Sequence, residues 1–84
     1  MIQSNPYDAK VVYSILTSKD FSQREIHVSL KIMEGKSNKD IAASLYISEA
    51  TVKKHIQNMF RKCEANDRKH FLELYSEWYE NFIK

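Results

Sequence analysis

The stretch Ser48-Glu49-Ala50-Thr51-Val52-Lys53-Lys54-His55-Ile56-Gln57-Asn58-Met59-Phe60-Arg61-Lys62-Cys63 decides how the rest of the chain is read. Val52, Ile56, Met59 and Cys63 are spaced four, three and four residues apart, which sets them on one stripe of an α-helix. Lys53, Lys54, Gln57 and Arg61 fall on the opposite side. From Ala50 to Lys62 there are four lysines and arginines and no acid. A helix that is apolar on one side and cationic and amide-rich on the other can seat on a core and present donors outward. Taken alone, a basic face is most simply a solvated one. The residues that precede it sharpen the reading.

Phe21-Ser22-Gln23-Arg24-Glu25-Ile26 has the form of a helix start. Ser22 and Glu25 are placed for a reciprocal capping box, and Phe21 and Ile26 for a hydrophobic staple. The run Ile26–Ile32 alternates apolar and polar, a strand signal. Helix is still the better reading: Ile26, Leu30 and Met33 share a stripe that Val28 and Ile32 widen, and Gly35 supplies a stop. His27 reads as a solvated surface residue. Ser37-Asn38-Lys39-Asp40 offers a second capping box for a short helix with Ile41, Ala42 and Leu45 inward. Tyr46-Ile47-Ser48 is then a three-residue connection, with Ser48 as the next cap. Two helices joined this closely, the second one basic, form a helix-turn-helix pattern.

Toward the N-terminus, Asn5 is placed to cap a helix over about 6–17 with Pro6 at its first position. Val11, Val12, Ile15 and Leu16 would be its apolar face. Residues 1–20 thus read as an arm with a short helix, and 21–84 as the domain proper. At the other end Asp67 can cap a helix running to about residue 82. Its stripe Phe71-Tyr75-Trp78-Phe82 is expected to face the core. Leu72, Tyr79 and Ile83 remain on a flank of it, and together with Tyr75 they lie close to one another and suit a contact with a second copy.

Composition agrees with a small helical domain. The 84 residues are 43% hydrophobic and 29% charged, with one Gly and one Pro, which leaves little material for tight hairpins. No apolar run approaches the roughly 20 residues of a membrane span. Asp8 and Lys10 interrupt any secretory h-region. The one Cys, Cys63, can form neither an internal disulfide nor a zinc cluster and reads as core. These features fit a cytoplasmic protein. The net charge of +2 is unevenly placed: Lys31 to Lys69 holds nine bases and five acids, while Glu73, Glu77 and Glu80 face only Lys84 in the last fifteen residues. A basic middle with an acidic tail suits one face meeting a polyanion.

These blocks together resemble the LuxR/GerE-type helix-turn-helix family, which includes the output domains of NarL- and FixJ-like response regulators. The resemblance is carried by Phe21-Ser22-Gln23-Arg24-Glu25, by Gly35-Lys36-Ser37-Asn38-Lys39-Asp40-Ile41-Ala42, and by Leu45-Tyr46-Ile47-Ser48-Glu49-Ala50-Thr51-Val52-Lys53-Lys54-His55, with Asn58, Lys62 and Arg68 continuing it. It implies an all-α fold: a four-helix helix-turn-helix domain, here preceded by a short N-terminal helix. It implies a transcription regulator whose third domain helix, about 48–63, enters the major groove of double-stranded DNA. Base-edge contacts would fall to Lys53, Lys54, Gln57 and Arg61. Phosphate contacts would fall to Thr51, His55, Asn58, Asn38 and Lys39. The fourth helix would make a twofold homodimer contact, through Leu72, Tyr75, Tyr79 and Ile83. RNA polymerase is a further partner that this reading allows; no cofactor, metal or membrane is implied. Glu64 stands where the family commonly has Gly. If Met1 is the native start the chain is a stand-alone GerE-like regulator; otherwise it is a cut output domain.

Two other readings use the same motif. A sigma-factor region-4-like module would bind promoter DNA while clamped to polymerase, but the Asn38, Lys39 and His55 matches favour the LuxR type. An interaction module that has lost DNA binding would have no need of Lys53, Lys54 and Arg61 together. An enzyme is disfavoured. There is no Gly-rich phosphate loop, the three histidines lack metal-ligand spacing, and His55 suits a phosphate donor better than a base.

Overall fold

Four serine and aspartate caps set the starts of the last four helices. Ser22, Ser37 and Ser48 accept from the amides of Glu25, Asp40 and Thr51 at 3.1, 3.1 and 3.0 Å, and Asp67 accepts from His70 at 2.8 Å. In the computed structural model, which describes residues 5–84, the elements are α1 (Ala9–Ser18), α2 (Gln23–Met33), α3 (Asn38–Leu45), α4 (Glu49–Cys63) and α5 (Arg68–Phe82). No strand occurs among the described residues, so the alternation over Ile26–Ile32 belongs to a helix. No helix there is long and apolar enough to cross a membrane.

The first helix starts later than the sequence suggests. Asp8, not Asn5, is its cap, accepting from the Lys10 amide at 2.9 Å. Asn5 instead closes a turn, with Oδ1 accepting from the Tyr7 amide at 2.9 Å. Both residue types make local side-chain bonds of this kind, and the second lies next to the apolar run. Only the first of the two expected capping boxes is reciprocal. Glu25 Oε1 reaches back to the Ser22 amide at 2.8 Å. Asp40, one methylene shorter than Glu, leaves Ser37 as a one-way cap.

One cluster joins all five helices. Val12, Ile15 and Leu16 of α1 meet Val28 and Ile32 of α2, Ile41 and Ala42 of α3, Val52 and Met59 of α4, and Phe71 and Tyr75 of α5. The buried side of α2 centres on Glu25, Val28, Ser29 and Ile32, so Leu30 sits on a flank, half-buried. Ser29 can be buried because its hydroxyl donates to the Glu25 carbonyl at 2.8 Å. His27 is not simply solvated: it is half-buried, with Nε2 2.7 Å from the Tyr13 hydroxyl of α1. Gly35 ends α2 at φ 82°, with amides 35 and 36 bonded back to Ile32 and Lys31.

Glu25 is also the anchor of α4. Lys62 Nζ donates to Glu25 Oε1 at 2.7 Å and to the Asp20 carbonyl at 2.8 Å. Burial alone would raise the Glu25 carboxyl, but the Lys62 bond and charge and the Ser22 bonds outweigh it and hold the group below its ordinary 4.5. A carboxyl whose folded value lies below its unfolded one stabilises the fold above about 4.5, and that contribution is lost as pH falls through the folded value. Glu25→Gln should therefore lower stability at pH 7 by about 1–3 kcal/mol. Urea unfolding at pH 7 and pH 3 checks this: the gap between variant and wild type should shrink at the lower pH, and an equal gap at both would contradict the pairing.

Candidate nucleic-acid interface

α4 is held from beneath and open above. Val52 and Met59 are fully buried, and Ile56, Phe60 and Cys63 pack against the core at its margin. Cys63 is half-buried rather than sealed in; its thiol donates to the Met59 carbonyl at 3.3 Å, and burial raises it above its ordinary value, which suits an unreactive packing residue. On the other side Thr51, Lys53, Lys54, Gln57 and Arg61 are all exposed. His55 and Asn58 sit at the edge, half-buried. Asn58 Oδ1 accepts from Arg61 at 3.4 Å, and Thr51 and Ser48 share a hydroxyl contact at 2.9 Å. The fourth cation of the helix, Lys62, is turned toward α2 by its bonds to Glu25 and Asp20 and does not belong to the outward set.

α3 packs against α4 and presents its N-terminal end. Lys39 is exposed there. Asn38 is half-buried because Arg68, at the start of α5, bonds it: one guanidinium nitrogen donates to Asn38 Oδ1 and another to the Lys36 carbonyl at 2.8 Å. A guanidinium only donates, so Arg68 engages the Asn38 oxygen and not its amide NH₂. Arg68 thus ties α5 to the loop that positions α3. In the sequence it stood out only as part of the family pattern, because its partners lie 32 and 30 residues away.

The last helix divides differently from expectation. Tyr75 is fully buried, as expected of the core stripe, and so does not belong to a surface for a second copy. Its ring stacks on Tyr7 at 6.0 Å and its hydroxyl donates to the Pro6 carbonyl at 2.5 Å. Burial, with Tyr7 and Tyr79 nearby, pushes that hydroxyl up to about 12, so it stays a donor. Phe82, expected inward, is 50% exposed, as is Ile83. The turn of chain before α1 covers α5 at Tyr75, and Phe82 lies beyond Trp78 and Tyr79, which still pack against the core. Leu72 and Tyr79 are half-buried, and Glu73, Glu77 and Glu80 are exposed. No group of three or more His, Cys, Asp or Glu that could hold a metal occurs among the described residues.

A short helix, a three-residue turn and a longer helix with a cationic outer face form a helix-turn-helix. The GerE model, described as bacterial regulatory proteins of the luxR family, matches residues 19–74, from just after α1, ahead of the capping box on α2, into α5. The chain belongs to the luxR family of bacterial regulatory proteins. Members of this family are DNA-binding helix-turn-helix regulators of transcription, not enzymes. No curated protein and no solved structure gives a significant match. In this luxR-family chain, α3 and α4 are the two helices of the motif, and α1 and the end of α5 lie outside the matched residues.

Proposed function

We propose that this luxR-family protein regulates transcription by laying α4 in the major groove of duplex DNA and reading sequence there, as a homodimer. The observation that carries this is the outward face of α4: Lys53, Lys54, Gln57 and Arg61 are exposed together and no acid lies among them. Lysine and glutamine suit guanine and adenine edges, whereas Thr51, His55, Asn58, Lys39 and the Asn38 amide suit phosphates on either side. A cytoplasmic site of action follows from that partner. RNA polymerase contact and a role as a response-regulator output domain belong to the same reading.

The two kinds of contact respond differently to substitution. Gln57→Ala or Lys53→Ala should each cost about 1–3 kcal/mol on a preferred site and relax preference at one position. Lys39→Ala should weaken all sequences equally. Anisotropy titrations on matched and scrambled duplexes measure both. Unchanged affinity and preference in Gln57→Ala would show that α4 does not read bases through this face.

For the dimer, α5 leaves Phe82 and Ile83 half-exposed beside Leu72 and Tyr79. Tyr75 drops out of this surface because the segment before α1 covers it within the same chain. Two such helices crossing at a twofold axis would cover the surplus and set the two α4 helices one helical turn apart on an inverted repeat. The exposed carboxylates of Glu73, Glu77 and Glu80 would repel phosphate and belong on the side away from DNA. Ile83→Asp should abolish cooperative binding to a two-half-site duplex while leaving weak half-site binding. Unchanged affinity and stoichiometry on the full site would exclude this interface.

A further inference from the structure

Tyr46 stands apart from every other aromatic side chain of the protein. It is 94% exposed, against 47% and 50% for Tyr7 and Phe82. It lies in the turn between α3 and α4 at φ 58° and ψ 42°, the left-handed region that glycine enters freely and a tyrosine enters at a penalty. The bonds that close this turn are backbone ones, Tyr46 N to Ala43 O at 3.4 Å and Ile47 N to Ala42 O at 3.0 Å, and a glycine would supply them equally well. The ring packs on nothing in the core cluster. The fold therefore gains nothing from a tyrosine here and bears a conformational penalty for it.

Its place in the chain suggests a use. Tyr46 is two residues before Ser48, the cap of α4, and Ser44, Ser48, Glu49, Ala50 and Thr51 around it are exposed as well. In helix-turn-helix proteins the N-terminal end of the recognition helix meets the bases, so the turn leading into it runs beside the wall of the groove, where the phosphates are. We propose that Tyr46 is a further DNA contact, its phenolic hydroxyl donating to a backbone phosphate oxygen as the turn meets the strand. This contact rests on the reading that α4 enters the major groove. It has a signature that separates it from the lysines. A neutral donor positions the protein on any sequence and displaces no counterion, so its loss weakens all duplexes alike and leaves the salt dependence unchanged.

The test compares the full chain with Tyr46→Phe and Tyr46→Gly on a preferred duplex and a scrambled one, across a salt series. Tyr46→Phe should lose about threefold to tenfold in affinity on both duplexes with the wild-type salt slope. Tyr46→Gly should lose at least as much while melting no lower than wild type, since the left-handed turn suits glycine. That pairing of undiminished stability with weaker binding separates a DNA contact from a folding role. If both variants bind like wild type, or if only Tyr46→Gly is weakened, the hydroxyl contact is overturned; the exposed ring would then be free to serve a protein partner. A loss confined to the preferred duplex overturns it too. If wild type itself binds no duplex, the groove-binding reading fails and this contact with it, whereas wild-type binding with unaffected variants removes this contact alone.

Discussion

Phe71→Ala should leave the domain largely unfolded at 37 °C. Phe71 is fully buried, and its ring is shared among three others: Phe60 at 5.6 Å, Phe21 at 6.2 Å and Trp78 at 6.5 Å. Phe60 belongs to α4, Phe21 to the loop before α2 and Trp78 to α5 itself, so one ring ties three parts of the chain to one another. Removing such a side chain costs about 3–5 kcal/mol, because transfer energy and a cavity add. At about 0.05–0.15 kcal/mol per residue, a domain of this size has a total stability of the same order. Circular dichroism during heating would show a broad or absent transition for Phe71→Ala, with Phe71→Leu intermediate. A variant within about 1 kcal/mol of wild type would show that the α4–α5 junction does not depend on this ring.

The parts of the fold that the sequence reveals are those decided within a few residues. Ser22 with Glu25, Ser37, Ser48 and Asp67 act on amides three residues away, so the starts of α2 to α5 can be read directly. The turn of Tyr46, Ile47 and Ser48 and the two-sided character of α4 are local in the same sense. What escapes a linear reading is set across the chain. Lys62 looks like one more cation of a basic helix until Glu25, 37 residues away, turns it inward. Arg68 has no acid three or four residues on in its own helix, where Phe71 and Leu72 stand, and its partners are a carbonyl and a side chain in the α2–α3 loop and α3.

α5 is the clearest instance. It is apolar on more than one side, and periodicity alone does not say which residues the domain takes for itself. The choice is made by the segment before α1, whose Pro6 carbonyl and Tyr7 ring claim Tyr75 and leave Phe82 outside. The same limit applies to the interface. Exposure of Lys53, Lys54, Gln57 and Arg61 follows from helix geometry once Val52 and Met59 are buried. That the Asn38 oxygen is engaged from within the domain depends on Arg68, 30 residues away, and no reading of the motif by itself shows it.

The central claim, that the outer face of α4 with Lys39 engages the DNA polyanion, has its most direct test in the salt dependence of duplex binding. If each half-site neutralises about four to six phosphates, log K should fall with log salt at about −0.9 per phosphate, or an affinity loss on the order of several hundredfold per half-site between 50 and 200 mM. Lys39→Ala should make the slope shallower by about one, and replacing Lys53, Lys54 and Arg61 together with alanine should remove most of what remains. Lys62→Ala, by contrast, should act through stability, since its ammonium is occupied by Glu25 and Asp20. The measurement is equilibrium binding to duplex DNA at five or more salt concentrations for wild type and the triple variant. The expected result is a steep line for wild type and a much shallower one for the variant. A flat response in wild type, or equal slopes in the two proteins, would contradict the claim.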